Sequence, residues 1–231
     1  MTRRFKFAPG EYYHIYNRGN DRRSIFLSGK DRDRFLALLY VCNSGEVLHL
    51  SDYPQTSLLK LLSLPRSSVL ADIGAYCLMP NHFHLLVREN EEGGISRLMQ
   101  KLLTAYTMYF NRKHQHTGSL FEGRFRARHV SDDRHLQYLF AYIHLNPVKV
   151  RDPDNWEKKT ILDTDEAVRF LNTYPYSSFL DYLGRNRGEG AIINPSAFPE
   201  YFSVPSDFSD FVQDWMSFDE EEDLTTVKVG P

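Results

Sequence analysis

The sequence is poor in cysteine, with only Cys42 and Cys77 in 231 residues. Two thiols cannot build a disulfide framework, so a reducing, cytoplasmic setting is expected and the fold must rest on a hydrophobic core. Cys77, between Tyr76 and Leu78, reads as a buried strand residue. No run of eighteen apolar residues occurs, which excludes a membrane-spanning helix. The first residues, MTRRFKFAPGEYYH, are basic but carry no apolar stretch of the kind a secretory signal needs. A GxxxxGK[ST] loop is missing too, so no nucleotide cofactor is expected. What remains is ordinary for a soluble globular protein: 42% hydrophobic and 25% charged residues, at a length that suits one domain with additions.

The net charge of −2 averages opposite regions. Residues 1–44 carry nine Lys/Arg against four Asp/Glu, and residues 96–151 carry ten against three. Residues 152–231 reverse this, with six against seventeen. Basic stretches rich in aromatics suit a polyanion, because each neutralised phosphate releases counterions and each ring offers a base a stacking surface.

Hydrophobic periodicity sketches the elements. EYYHIYN at 11–17 reads as a strand, closed by the turn formers Gly19 and Asn20. A helix is expected over 30–43, with Phe35, Leu38, Leu39 and Cys42 on one face. Residues 44–68, with Gly45, Pro54, Pro65 and several serines, read as an insertion holding a short apolar helix near Ser57–Leu64. Strands follow at 69–78 and 82–88, joined tightly at Pro80-Asn81. A long helix is expected at 94–114, with Ile95, Leu98, Leu102, Ala105, Met108 and Tyr109 along its apolar stripe. RFRARHVS at 124–131 alternates basic and apolar residues as a strand with a cationic face. Asp132-Asp133 opens a last helix that Pro147 ends. The order β-α-β-β-α-β-α fits an α+β fold: an antiparallel-rich sheet with helices packed on one face. Residues 1–151 would form this domain, and 152–231 an acidic C-terminal extension whose end, 217–231, reads as disordered.

Two short stretches carry chemistry. In MPNHFHLLV, residues 79–87, His82 and His84 project from one strand face, and Phe83, Leu85 and Val87 from the other. Two imidazoles so placed can each give a nitrogen to a divalent cation. In AYIHLNPVK, residues 141–149, Tyr142 and Asn146 lie one helical turn apart. Asn146 offers a carbonyl oxygen, a donor suited to Mg2+ or Mn2+, or else a helix cap before Pro147. Tyr142 offers a phenol, a nucleophile once deprotonated. Tyr138, one turn earlier, is its rival. His144 should point away from Tyr142, and no metal role is expected for His114, His116, His129, His135 or His144.

YHIYNRGNDRRSIF, AYCLMPNHFHLLV, SRLMQKLLTAYTMYFNRKH, TGSLFEGRFRARHV and YIHLNPVKV, covering roughly 12–35 and 73–151, occur in this order. Together they resemble the single-tyrosine HUH transposases, which are insertion-sequence-200-like, and most closely the REP-associated tyrosine transposases of bacteria. The resemblance implies a ferredoxin-like HUH endonuclease core. It also implies a metal-dependent, site-specific single-stranded DNA endonuclease and strand transferase acting at hairpins. His82 and His84 match the metal-binding pair, Asn146 the residue completing the Mg2+ or Mn2+ site, and Tyr142 the nucleophile that becomes a 5′-phosphotyrosine. Arg3, Arg4, Lys6, Arg18, Arg22 and Arg23 resemble the DNA-contacting N-terminal region, and Arg124, Arg126 and Arg128 read equally as phosphate contacts or as a solvated strand edge. The implied partner is hairpin-bearing single-stranded DNA, with no membrane and no nucleotide, and the acting unit a monomer, with a dimer as the alternative. The insertion at 44–68, the long acidic extension and the non-basic total charge depart from the family pattern. Two other readings stand beside this one: a sheet platform that binds single-stranded nucleic acid without cutting it, and a metal-dependent hydrolase in which water attacks.

Overall fold

The computed structural model describes residues 6–46, 56–66, 68–148 and 164–217. A four-stranded antiparallel sheet forms its centre, in the order β2-β3-β1-β4. The strands are β1 (Tyr12–Arg18), β2 (Ala71–Met79), β3 (His82–Glu89) and β4 (Arg126–His129). Around it lie the helices α1 (Gly29–Cys42), α2 (Leu58–Leu62), α3 (Gly94–His114), α4 (Asp133–Leu145), α5 (Thr164–Leu171), α6 (Phe179–Tyr182) and α7 (Pro205–Ser217).

Helices cover both faces of the sheet, which corrects the expectation of one covered face. Tyr13, Ile15, Phe83, Leu85 and Val87 pack with Phe35 and Leu39 of α1 and with Ile95, Leu98, Leu102 and Tyr106 of α3. The opposite face presents Ala75, Cys77, Met79 and Leu86 to Leu136, Leu139, Phe140 and Ile143 of α4. The central strands β1 and β3 are therefore buried on both sides, and alternation decides which helix layer each side chain meets. A register shift in β2 between Ile73 and Ala75 changes the phase of that strand. Ile73 joins the α1–α3 layer before it, while Tyr76 and Leu78 join that layer after it. At the shift stands Gly74, where any side chain would run into the Phe198 ring.

Local signals set the helix ends. The Asp132 carboxylate accepts the His135 backbone N–H at 2.8 Å and caps α4. Ser57 caps α2, whose Leu61 and Leu62 are buried in the same core as α1. The apolar stripe of α3 runs through Ile95, Leu98, Met99, Leu102, Tyr106 and Phe110. Met108, expected on that stripe, is 69% exposed, because the helix turns it past the sheet. Buried Asp31 near the start of α1 receives Lys113 at 2.6 Å and His114 at 3.1 Å from the end of α3, pinning the two helices together.

Residues 164–217 pack on the α4 side. Phe179, Phe208 and Val212 enclose Ala141 and Leu145, and Phe198 lies against the sheet. Ser217 is the last residue of α7; the rest of the expected disordered end lies outside the described residues.

Candidate active site

Antiparallel pairing of β1 and β3 sets Tyr16 opposite His84 and Arg18 opposite His82. Side chains alternate along a strand, so His14, Tyr16 and Arg18 share one face with both histidines of MPNHFH. It is the face that α4 covers. β4 adds Arg126 opposite Tyr16 and Arg128 opposite His14. Across this face lies Tyr142, its ring 5.4 Å from that of His84 and 6.0 Å from that of His14, both in edge-on packing. The predicted histidine pair and tyrosine, from segments some sixty residues apart, thus meet in one chain.

The two histidines are held differently. His82 Nδ1 lies 2.6 Å from the Asn81 side-chain oxygen. A carboxamide oxygen only accepts, so Nδ1 carries the hydrogen and Nε2 keeps its lone pair. The Asn81 amide nitrogen donates in turn to the Arg22 carbonyl at 3.2 Å, which fixes the orientation of the amide. His84 Nδ1 lies 2.8 Å from His14 Nε2, and both residues are 1% exposed. Asn81 read as a turn former and His14 as one strand residue among aromatics. The missed signal for His14 was its even spacing with Tyr16 and Arg18, which becomes informative only once β1 is paired with β3.

Tyr142 is buried, and burial pushes its phenol up to about 12, against the opposing effects of the Asn146 side chain and the Arg128 charge. Asn146, fully buried, donates from its side-chain nitrogen to the Tyr142 carbonyl at 2.7 Å and so caps the helix. Its carbonyl oxygen is buried with no hydrogen-bond partner among the described residues. Such an orphaned oxygen costs stability unless something completes it, and a hard cation suits an amide oxygen. Among the described residues no three His, Cys, Asp or Glu group as a metal cage. Two imidazoles with an amide oxygen are a different donor set, and these residues fit it.

Tyr138 is half-buried, stacked on Tyr142 with centroids 5.8 Å apart and set edge-on to Trp215 of α7 at 5.5 Å. His144 points away, as expected: its Nδ1 donates to the Phe140 carbonyl at 2.8 Å and its Nε2 accepts from the Ser178 hydroxyl at 2.7 Å. Burial keeps it neutral, lowering it to about 3. Three further histidines make side-chain contacts elsewhere: His114 with Asp31, His116 with Asn111 and Arg23, His129 with Glu11.

The arginines divide. Arg18 is half-buried beside His82 and is held by Glu122 at 2.7 Å; Arg126 lies 3.7 Å from the same carboxylate. Arg22 and Arg23 are exposed on a loop fastened to the β2–β3 turn by the Gly19 N–H on the Asn81 carbonyl and the Ile25 N–H on the Pro80 carbonyl. Arg124 is exposed ahead of β4, away from the paired register. Lys6 is exposed, and Arg3 and Arg4 lie outside the described residues.

Residues 9–146 match the family model described as transposase IS200 like. The chain belongs to that family. The match covers well over half of the chain and takes in His14, His82, His84, Tyr142 and Asn146. No match is found among curated proteins. The solved structure of a REP-associated tyrosine transposase bound to a REP hairpin is similar at 15% identity and a TM-score of 0.49, over 88% of this chain and 99% of that one. No helix among the described residues of this transposase-family protein is long and apolar enough to cross a membrane.

Proposed function

We propose that the protein is a metal-dependent tyrosine endonuclease and strand transferase for single-stranded DNA, acting beside hairpins. The observation that carries this is the packing of the Tyr142 ring against His84, with the orphaned Asn146 oxygen one helical turn further on. His82 and His84, through Nε2, and the Asn146 carbonyl would hold Mg2+ or Mn2+. Once bound, the ion would neutralise phosphate charge and stabilise the phenolate. Tyr142 Oη then attacks the scissile phosphorus and gives up its proton to solvent. The bond from phosphorus to the 3′ oxygen breaks, and that oxygen takes a proton to leave as a 3′ hydroxyl. A 5′-phosphotyrosine remains. Because the phosphodiester is conserved, a second 3′ hydroxyl can reverse the step and join strands, with no nucleotide consumed. Arg126 and Arg128 stand on the same face to take the flanking phosphates. Nucleophile and histidines meet within one chain, which supports a monomer as the acting unit.

The test is covalent trapping. Hairpin-bearing single-stranded DNA and Mn2+ are incubated with the protein and run on a denaturing gel. A shifted protein band is expected, lost with a chelator and lost in Tyr142→Phe. A band that survives Tyr142→Phe would transfer the role to Tyr138. DNA cleaved without any adduct would make water the nucleophile, and DNA bound but never cut would leave a binding platform.

A further inference from the structure

We infer that His14 is the positioning residue for His84: it selects the His84 tautomer whose Nε2 can take a metal ion. The inference rests on the metal reading above and concerns a residue outside the proposed ligand set. The two imidazoles are nearly parallel, with centroids 5.1 Å apart and planes 21° apart, and their nitrogens are 2.8 Å apart. Both side chains are buried, so the bond does not compete with water.

One hydrogen lies between the two nitrogens, and two arrangements are possible. If His14 Nε2 carries it, His84 accepts at Nδ1. The remaining hydrogen of a neutral His84 then sits on Nε2 and blocks that nitrogen as a ligand. If His84 Nδ1 carries it, His14 accepts and His84 Nε2 presents a lone pair. Only the second arrangement serves a cation. His82 needs no such choice, because the Asn81 oxygen accepts in every case. His84 depends on a partner able to accept, and an imidazole on the neighbouring strand supplies one. A partner of this kind also fixes the ring plane and raises the basicity of the ligating nitrogen; losing it lowers metal affinity by about 10- to 100-fold.

Two measurements test the assignment. The first uses the wild-type protein without metal. Long-range nitrogen–proton NMR correlations of the His84 ring should show the hydrogen on Nδ1; a hydrogen resident on Nε2 would overturn the proposal. The second is Mn2+ binding by calorimetry, with circular dichroism as a check on folding. His14→Phe, which keeps a ring but cannot accept, is expected to weaken Mn2+ binding by about 10- to 100-fold. His14→Gln, whose side-chain oxygen can accept, is expected to recover most of that loss. Wild-type affinity in a folded His14→Phe protein, or no recovery by Gln, would overturn the role of His14 alone. Absence of Mn2+ binding by the wild-type protein would overturn the metal reading itself and the inference with it. If His14→Phe does not fold, the tautomer measurement decides.

Discussion

A phenol pushed to about 12 is ionised in only about one molecule in 100,000 at pH 7, so Tyr142 as it stands is a poor nucleophile. Its surroundings supply only partial remedies, in the Arg128 charge and the Asn146 side chain, and a bound cation would supply the rest. On the proposed reading Asn146 would serve twice, with its nitrogen on the Tyr142 carbonyl and its oxygen, partnerless among the described residues, offered to the ion. Asn146→Ala separates these roles. The lost helix bond should cost about 1 kcal/mol, a melting shift of a few degrees at this size. Adduct formation should fall by at least about 10-fold if the oxygen is a ligand. A variant that melts lower yet forms adduct at the wild-type rate would leave Asn146 as a helix cap only. The sequence offered both readings of this residue because helix spacing and capping make the same demand at the same position. His82 and His84 were easier to read, since a period of two on a strand is visible in the chain itself. His14 was not, because its significance depends on which strand lies beside it, and pairing register is not a local property.

At the scale of elements, helix and strand limits followed from hydrophobic period, caps and breakers: α3 and α4 begin and end where the pattern changes. The covering of both sheet faces was not visible, because β2 reads as a nearly continuous apolar run that names no preferred side. The phase change at Gly74 was hidden for the same reason. β4 shows how an element turns composition into a surface. Its alternation sends Ala127 to the α1–α3 core and Arg126 and Arg128 to the face of Tyr142. If these two arginines each take a phosphate of a single strand, replacing both with Gln should flatten the salt dependence of DNA binding by about 1.4 in log–log slope. Arg124→Gln, outside the register, should change it less. Fluorescence anisotropy of a labelled hairpin across a salt series reads both. An unchanged slope in the double variant would return β4 to a solvated sheet edge.

For the whole molecule, the question is what the acidic extension does to the transposase core. Composition describes it by charge, which hides the helical spacing of Phe208, Phe211, Val212, Trp215 and Met216. Folded residues 164–217 nonetheless bury Phe179, Phe198, Phe208 and Val212 against α4 and β2. Each such side chain contributes about 1.5–3 kcal/mol on burial, so four of them approach the whole stability of a typical domain, about 5–15 kcal/mol. α4 also carries Tyr142, and its outer side is closed by this same region, with Trp215 against Tyr138 and Ser178 against His144. A chain ending at residue 163 is therefore expected to lose its cooperative melt and its adduct together. Thermal unfolding followed by circular dichroism, beside the trapping gel, checks this. If the shortened chain melted within a few degrees of the full protein and still formed adduct, α4 would be held by the sheet alone. The extension would then be an appendage to the transposase core rather than the back wall of the candidate site.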